Sequence, residues 1–327
     1  MLNLSVTKDA WPINGAFTIS RGTKTQAETV TVRISDGQFE GCGECVPYQR
    51  YGETLDGVVE TIQSCAGDLK SGMTRHHLQH RLPAGAARNA LDCALWDLEA
   101  KQTGTPVWQL AGLARPRPLT TAYTLSLDTP DIMAIAAQTA RARPVLKLKL
   151  AGDDDDLARI RAVVQAAPRA RLILDANEAW TFSTLQTMAS ALQDLHVDLI
   201  EQPLSAGKDE ALETFSSPIP LCADESIHDM HSLTPLIRRY NAINIKLDKT
   251  GGLTEAILLA KAAHRQGLQI MVGCMVSTSL AMAPAFLLGA QADFIDLDGP
   301  LLLTTDRAHG MHYKGSILQP PEQALWG

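Results

Sequence analysis

The chain has 327 residues, too many for one small domain and enough for a barrel of about 250 residues plus a smaller unit. It is 45% apolar and 20% charged with a net charge of −7, which supports a full-sized core and offers no basic stripe for nucleic acid. It contains no run of about 18 apolar residues, and Met1 to Asp9 lacks an export-signal pattern, so no membrane partner and a cytoplasmic location are expected.

The first hundred residues read as a separate α+β unit. Glu28-Thr29-Val30-Thr31-Val32-Arg33-Ile34 alternates as an antiparallel strand, and Asp36-Gly37 after it is a hairpin signal. Cys42 and Cys45 form a C-x-x-C spacing without the second pair a zinc site needs, so reduced thiols are expected. His76, His77 and His80 sit among Arg75, Gln79 and Arg81 and read as a solvated helix face. Ala86 to about Thr103 reads as a helix with Ala90, Ala94, Leu95 and Leu98 near one face, ended by Gly104-Thr105-Pro106. This unit is assigned to 1–115.

From 116 to 304 the rhythm changes to strand, helix, strand, and a (β/α)7β barrel of the TIM type is expected. Thr120 to Leu125 is its first strand. Helices are predicted over Ala134–Ala142, Asp154–Ala166, Thr184–Leu195, Ala211–Phe215, Met230–Arg239, Thr254–Gln266 and Ser279–Leu288. The four-Asp run at 153–156 suits a helix start, where carboxylates cap and complement the dipole. The tail, 305–327, has no room for another strand–helix unit and is expected to pack back on the first domain.

Within this stretch several apolar runs end in a charge: Lys147-Leu148-Lys149, Asp175, Glu201, Asp224-Glu225, Lys246 and Asp296-Leu297-Asp298. The charged ends are roughly 22 to 26 residues apart, with one doubled gap before Asp296, which is one strand–helix unit per step. In such a barrel all the strand C-termini meet on one face. Asp175, Glu201 and Asp224 offer only oxygen, which favours a hard cation such as Mg²⁺. Without a cation, three buried carboxylates would repel one another. Lys149 and Lys246, on strands two and six, stand on opposite sides of the mouth. Nearby positive charge brings a lysine toward neutrality, where it can act as a base. Two such bases facing one carbon can remove a proton from one side and return one to the other. Lys147 lies on the same strand face as Lys149 and suits a substrate carboxylate. Asp296 and Asp298 on one strand face suit a free ammonium group rather than a phosphate.

These motifs resemble those of the enolase superfamily, in particular its muconate-lactonising subgroup. The matching segments are Lys147-Leu148-Lys149, Asp175-Ala176-Asn177, Glu201-Gln202-Pro203, Ala223-Asp224-Glu225-Ser226 and Lys246-Leu247-Asp248-Lys249-Thr250-Gly251-Gly252, with the upstream helix Ala86 to Leu98. The resemblance spans about residues 10 to 300. Asp296-Leu297-Asp298 resembles the ammonium-binding pair of dipeptide epimerases, and the chain is most similar to those of the L-Ala-D/L-Glu type. The resemblance implies a capping domain over the barrel mouth, with loops around Arg21-Gly22-Thr23-Lys24 and Pro47 to Gly52, including Tyr48, against a small-molecule dipeptide. It also implies a two-base 1,1-proton transfer through an enediolate, inverting the C-terminal residue's α-carbon. In relatives acting on Ala-Glu an arginine in the first loop binds the glutamate side chain; here Lys24 takes that place, with Arg21 nearby. Cycloisomerisation, o-succinylbenzoate synthesis, a Schiff-base lyase and a non-catalytic binding protein stay open, as does association into a homo-oligomer.

Overall fold

A computed structural model describes residues 1–327. Strands β1 (Asn3–Ile19), β2 (Gly22–Ser35) and β3 (Glu40–Cys45) form an antiparallel sheet in the order β1-β2-β3. Alternation in β2 buries Val30, Val32 and Ile34 completely. Helices α1 (Leu55–Ser64), α2 (Ala66–Lys70) and α3 (Arg75–Arg81) lead to α4 (Ala86–Thr103), which packs on the sheet. The approach of α4 to β3 is close because β3 carries two glycines facing it. A Cβ at Gly41 would stand 2.1 Å from the Ala94 carbonyl oxygen, and one at Gly43 2.2 Å from that of Ala90. His76, His77 and His80 are exposed, and His77 closes the Thr74 capping box that starts α3.

Short α5 (Val107–Leu110) and β4 (Leu119–Thr120) lead to the barrel, whose parallel strands are β5 (Tyr123–Leu125), β6 (Val145–Lys149), β7 (Arg171–Asp175), β8 (Val197–Glu201), β9 (Leu221–Ala223), β10 (Ala242–Ile245), β11 (Gln269–Gly273) and β12 (Phe294–Asp296). The ring closes between its first and last strands: the Ala122 N–H donates to the Ile295 carbonyl at 2.8 Å and the Leu297 N–H to Thr121 Oγ1 at 2.9 Å. Connecting helices are α6 (Pro130–Thr139), α7 (Asp156–Ala166), α8 (Phe182–Ala191), α9 (Met230–Leu236), α10 (Leu247–Thr250), α11 (Leu253–Arg265) and α12 (Ser279–Phe286).

Inside the ring every strand, or the residue leading into it, contributes to one apolar plug: Ala122, Val145, Ile173, Leu199, Cys222, Ala242, Met271 and Phe294. Side chains on a strand alternate between faces, so residues two or four further on point inward above the plug. Those residues are Lys147 and Lys149, Asp175, Glu201, Asp224, Lys246, Asp296 and Asp298. The plug thus explains why charges collect at one end of an otherwise apolar barrel.

Three local expectations differ from the structure. The stretch 120–125 is not one strand: β4 pairs with β14 (Ile317–Leu318), itself paired with β13 (Tyr313–Lys314), and only β5 enters the ring. The link after β8 is a 3-10 turn, Glu210–Thr214, rather than an α-helix. The four-aspartate run does not cap α7 through its side chains. Instead Asp156, buried, accepts from the Ala151 and Gly152 N–H groups and from the Trp180 indole, and Arg159 neutralises it. Near the end of the chain the Trp326 indole donates to the Cys93 carbonyl and the Gly327 N–H to Asp97, both on α4.

Candidate active site

A cavity of about 430 Å³ opens at the C-terminal ends of the barrel strands, under the capping domain. Lys147, Lys149, Asp224, Lys246, Asp296 and Asp298 line it from the barrel, and Arg21, Lys24 and Tyr48 from the cap. Asp175 and Glu201 are fully buried beneath it. Parallel pairing sets Lys149, Asp175 and Glu201 side by side in one row across β6, β7 and β8.

The carboxylates do not converge on a single point in this arrangement; each is drawn to lysine. Lys147 Nζ lies 2.7 Å from Glu201 Oε2, 2.7 Å from Asp296 Oδ2 and 3.2 Å from Asp175 Oδ2. Lys149 Nζ lies 2.5 Å from Asp175 Oδ2, and Lys246 Nζ 2.7 Å from Asp224 Oδ2. Each of the two lysines on opposite sides of the mouth therefore leans on a different acid. Asp298 Oδ2 accepts the Thr124 N–H at 2.6 Å.

Burial opposes every charge here, and neighbours decide each outcome. Burial works to raise the Asp175 carboxyl, yet Lys149 and Lys147 outweigh it and hold it down at about 2. Asp224 is likewise held well below the usual carboxylate range against its burial, by Lys246 and Lys249. Glu201 goes the other way: burial and then Asp175 push it up to about 7, because Lys147 divides its charge among three acids. Burial and Asp296 push Asp298 up to about 7. Burial works to lower Lys246, but Asp224 raises it well above the ordinary lysine range, so protein charges alone do not bring this lysine toward neutrality.

A divalent cation suits this donor set. The ligand atoms are carboxylate oxygens, buried and mutually repulsive. Several buried oxygens at the mouth, Glu201 Oε2, Glu225 Oε2 and Asp296 Oδ1 among them, lack a hydrogen bond. Glu201 Oε2 is close to Lys147 Nζ but outside hydrogen-bonding directions, while Glu201 Oε1 accepts from Asn244 Nδ2 at 2.7 Å.

Two residues that hold this site, Lys249 and Gln202, carry no role in the sequence reading. Lys249, fully buried, donates to Asp224 Oδ1 and to the Asn244 carbonyl. It follows Lys246 by three residues across the turn of α10, and that spacing was the available signal. Gln202 has φ +36° and ties two neighbouring strand ends together: its Oε1 accepts from the Asp224 N–H and its Nε2 donates to the Tyr240 hydroxyl. Arg21 lines the cavity, but its guanidinium is turned to the barrel, donating to the Asn177 carbonyl, Glu178, Glu225 and the Tyr48 hydroxyl. Lys24 has no acidic partner and stands 5.6 Å from the centre of the Tyr48 ring.

Comparison with known proteins agrees with this architecture. Residues 1–112 match the mandelate racemase / muconate lactonizing enzyme N-terminal domain, and residues 132–314 the enolase C-terminal domain-like family. The chain belongs to the mandelate racemase / muconate lactonizing enzyme family of the enolase superfamily. It is 48% identical over 300 residues to an N-acetyl-D-glutamate racemase of a Pseudoalteromonas species, covering 91% of this chain and 95% of that one. It is 46% identical over 307 residues to the L-Ala-D/L-Glu epimerase of Escherichia coli K12, covering 94% and 96%. A crystal structure of an enolase family member from Agrobacterium tumefaciens, with homology to dipeptide epimerases and with bound sodium and L-Ala-L-Glu, superimposes with a TM-score of 0.98 at 51% identity over the full length of both chains.

Proposed function

We infer that this chain is a dipeptide epimerase, an isomerase that inverts the α-carbon of the C-terminal residue of a small dipeptide of the L-Ala-D/L-Glu type. The observation that carries the reading is the placement of Lys149 and Lys246 at opposite sides of one cavity, on the second and sixth of eight strands, above three buried carboxylates. The L-Ala-D/L-Glu epimerase relative, similar along nearly its whole length, and the Agrobacterium tumefaciens structure with bound L-Ala-L-Glu support it.

Asp175, Glu201 and Asp224 would hold the cation, for which Mg²⁺ is the proposed species. Bound there, it would stabilise negative charge gathering on the substrate carboxylate. One lysine, as the free amine, takes the α-proton from its side of the carbon. The other, as the ammonium, delivers a proton to the opposite side, and the carbon is inverted with one proton lost and one gained. The reverse reaction exchanges the two roles. Lys147 would orient a carboxylate oxygen of the substrate. Asp296 and Asp298 would receive its ammonium group, and Lys24 an acidic side chain, with Tyr48 beside it. Lysine supplies charge there without the two-pronged fork of an arginine.

The test is exchange of the α-proton of L-Ala-L-Glu in D₂O, followed by mass spectrometry and by NMR of the two diastereomers. Incorporation of one deuteron at the C-terminal α-carbon with appearance of the second diastereomer is expected. Exchange lost on chelation and restored by Mg²⁺ would support the cation. No exchange with any Ala-Xaa dipeptide would overturn the reading.

A second reading is racemisation of an N-acylated acidic amino acid, the substrate class named for the Pseudoalteromonas relative. One observation favours it. Asp296 is matched by Lys147, and Asp298 sits at about 7, so the strand-eight rim does not by itself demand a cation. Comparing kcat/KM for L-Ala-L-Glu and N-acetyl-L-glutamate separates the two.

A further inference from the structure

Glu178 follows the β7 strand end by three residues and lies outside the set of groups assigned to cation, proton and substrate. Its side chain is only 9% exposed. Arg50, on the short 3-10 turn Gln49–Tyr51 of the cap, grips it with both prongs, Nε at 2.9 Å and Nη2 at 2.8 Å. Arg21, on the β1–β2 turn, reaches the same carboxylate with Nη1 at 3.2 Å. The Ala206 N–H, in the loop after β8, donates to it at 2.9 Å. One acid thus gathers donors from three loops, two of them on the other domain.

The backbone beneath is also unusual. Asn177 and Glu178 both lie in the left-handed region, at φ +45° and +69°. Non-glycine residues there cost free energy and persist where surroundings hold them. The holding bonds are visible: the Glu178 N–H donates to the Gln202 carbonyl at 2.9 Å, and Arg21 Nη1 donates to the Asn177 carbonyl at 2.8 Å. Arg50 is half open to solvent, so the pair adds little to stability by charge alone, but its two-pronged geometry onto a buried carboxylate fixes orientation. The elements fixed here carry cavity residues: Lys24 follows Arg21 by three positions, while Tyr48 and Tyr51 flank Arg50.

We propose that Glu178 is a positioning residue, the shared anchor that draws the β1–β2 turn and the 49–51 turn onto the barrel and so sets Lys24 and Tyr48 over the cavity. The anchor acts through the arginines and touches no reacting atom. Its kinetic consequence rests on the dipeptide reading above; its structural consequence does not. Loops that contact substrate alike in ground and transition states affect KM more than kcat.

The experiment uses the full chain, with Glu178→Gln, Arg50→Ala and the double variant. Amide exchange by mass spectrometry is followed in peptides covering 20–26 and 47–53. Glu178→Gln is expected to speed exchange about tenfold in both segments, with the melting temperature within a few degrees of the parent. The double variant should exchange no faster than Glu178→Gln alone, since both changes break one anchor. KM for L-Ala-L-Glu should rise about tenfold, with kcat within about twofold. Unchanged exchange in either segment, or additive effects in the double variant, would overturn the proposal. If Glu178→Gln does not fold, Arg50→Ala, at a side chain 40% exposed, decides by the same exchange measurement. A chain that turns over no dipeptide would sink the substrate reading while the exchange result still decides the anchor.

Discussion

Lys147 Nζ and Asp296 Oδ2 stand 2.7 Å apart, joining barrel strand two to strand eight across the short first strand. The pair leaves Asp298 as the acid of the rim that no lysine reaches, fixed only by the Thr124 N–H. Its replacement therefore tests the proposed ammonium site with the least disturbance to the lysines. Asp298→Asn is expected to lower kcat/KM for L-Ala-L-Glu at least about thirtyfold, the loss of one charge-assisted hydrogen bond of about 2 kcal/mol. Turnover of N-acetyl-L-glutamate, if present, should change less than about threefold. Steady-state assays on both substrates check this; an unaffected dipeptide rate would rule out Asp298 as the ammonium's partner.

The two lysines make a separable pair. Lys149→Ala and Lys246→Ala should each lower epimerisation by about a thousandfold or more, within or beyond the usual range for a lost general acid or base. Each variant should keep slow α-proton exchange of only one diastereomer, because the remaining lysine serves one side of the carbon. NMR in D₂O on the pure diastereomers measures both effects. Full epimerisation by either single variant would defeat the two-base mechanism.

Asp248 makes the folded protein sensitive to alkali. It is buried between the domains, where its Oδ1 accepts from the Val46 N–H and from Asn89 Nδ2, and burial pushes its carboxyl up to about 7 from an ordinary 3.8. The folded chain then holds a proton that the unfolded chain has released. That contribution is fully present below about 3.8 and is lost as the pH rises through about 7. The ceiling is about 4 kcal/mol, at roughly 1.4 kcal/mol per pH unit. Asp248→Asn should therefore raise the unfolding free energy at pH 8 relative to the parent, with the gain shrinking toward pH 4. Urea titrations at pH 5 and pH 8 would show it, and a gain independent of pH would refute it.

Gly43→Ala should loosen the cap. The added carbon would meet the Ala90 carbonyl oxygen at 2.2 Å and the Ala94 nitrogen at 2.9 Å, both backbone atoms of α4 that no side-chain rotation can clear. A loss of about 3 kcal/mol is expected, at the upper end of overpacking costs. Gly67→Ala, where nothing lies within 4 Å of the new carbon, is the matched control and should be near neutral. Denaturant midpoints of the two variants make the comparison.

How much of this could be read from the residues follows from the range of each interaction. The strand ends carrying Lys147, Lys149, Asp175, Glu201 and Asp224 stood out because inward alternation and parallel register are local rules. The position of each charge relative to its own apolar run already implied its direction. The barrel class followed from that spacing, and the family from the resemblance of motifs such as Lys147-Leu148-Lys149 and Asp175-Ala176-Asn177. By contrast, the split of 119–125 into β4 and β5 depends on a partner strand, Ile317–Leu318, nearly two hundred residues away. Arg21 reads as a loop residue near the mouth, and the structure places it on the cavity; its ties to Glu178 and Glu225 were not legible because those acceptors lie 157 and 204 residues away. The Asp156 network is not legible in the sequence for a similar reason: a run of four acids looks like a helix cap, and only folding brings Trp180 to the last of them.

The division of the cavity between two kinds of structure has an evolutionary consequence. Lys149, Asp175, Glu201 and Lys246 are buried in a ring of short strands, where almost any replacement disturbs charge balance and folding together. Lys24 stands exposed on a hairpin of the cap, paired with no acid. A lysine codon is one base change from an arginine codon, and a replacement at this exposed position should leave stability within about 0.5 kcal/mol. With Lys24 in its proposed role, selection can retune the accepted side chain in single steps that leave the buried lysines untouched, and lineages sharing one reaction can diverge in diet without passing through an inactive ancestor.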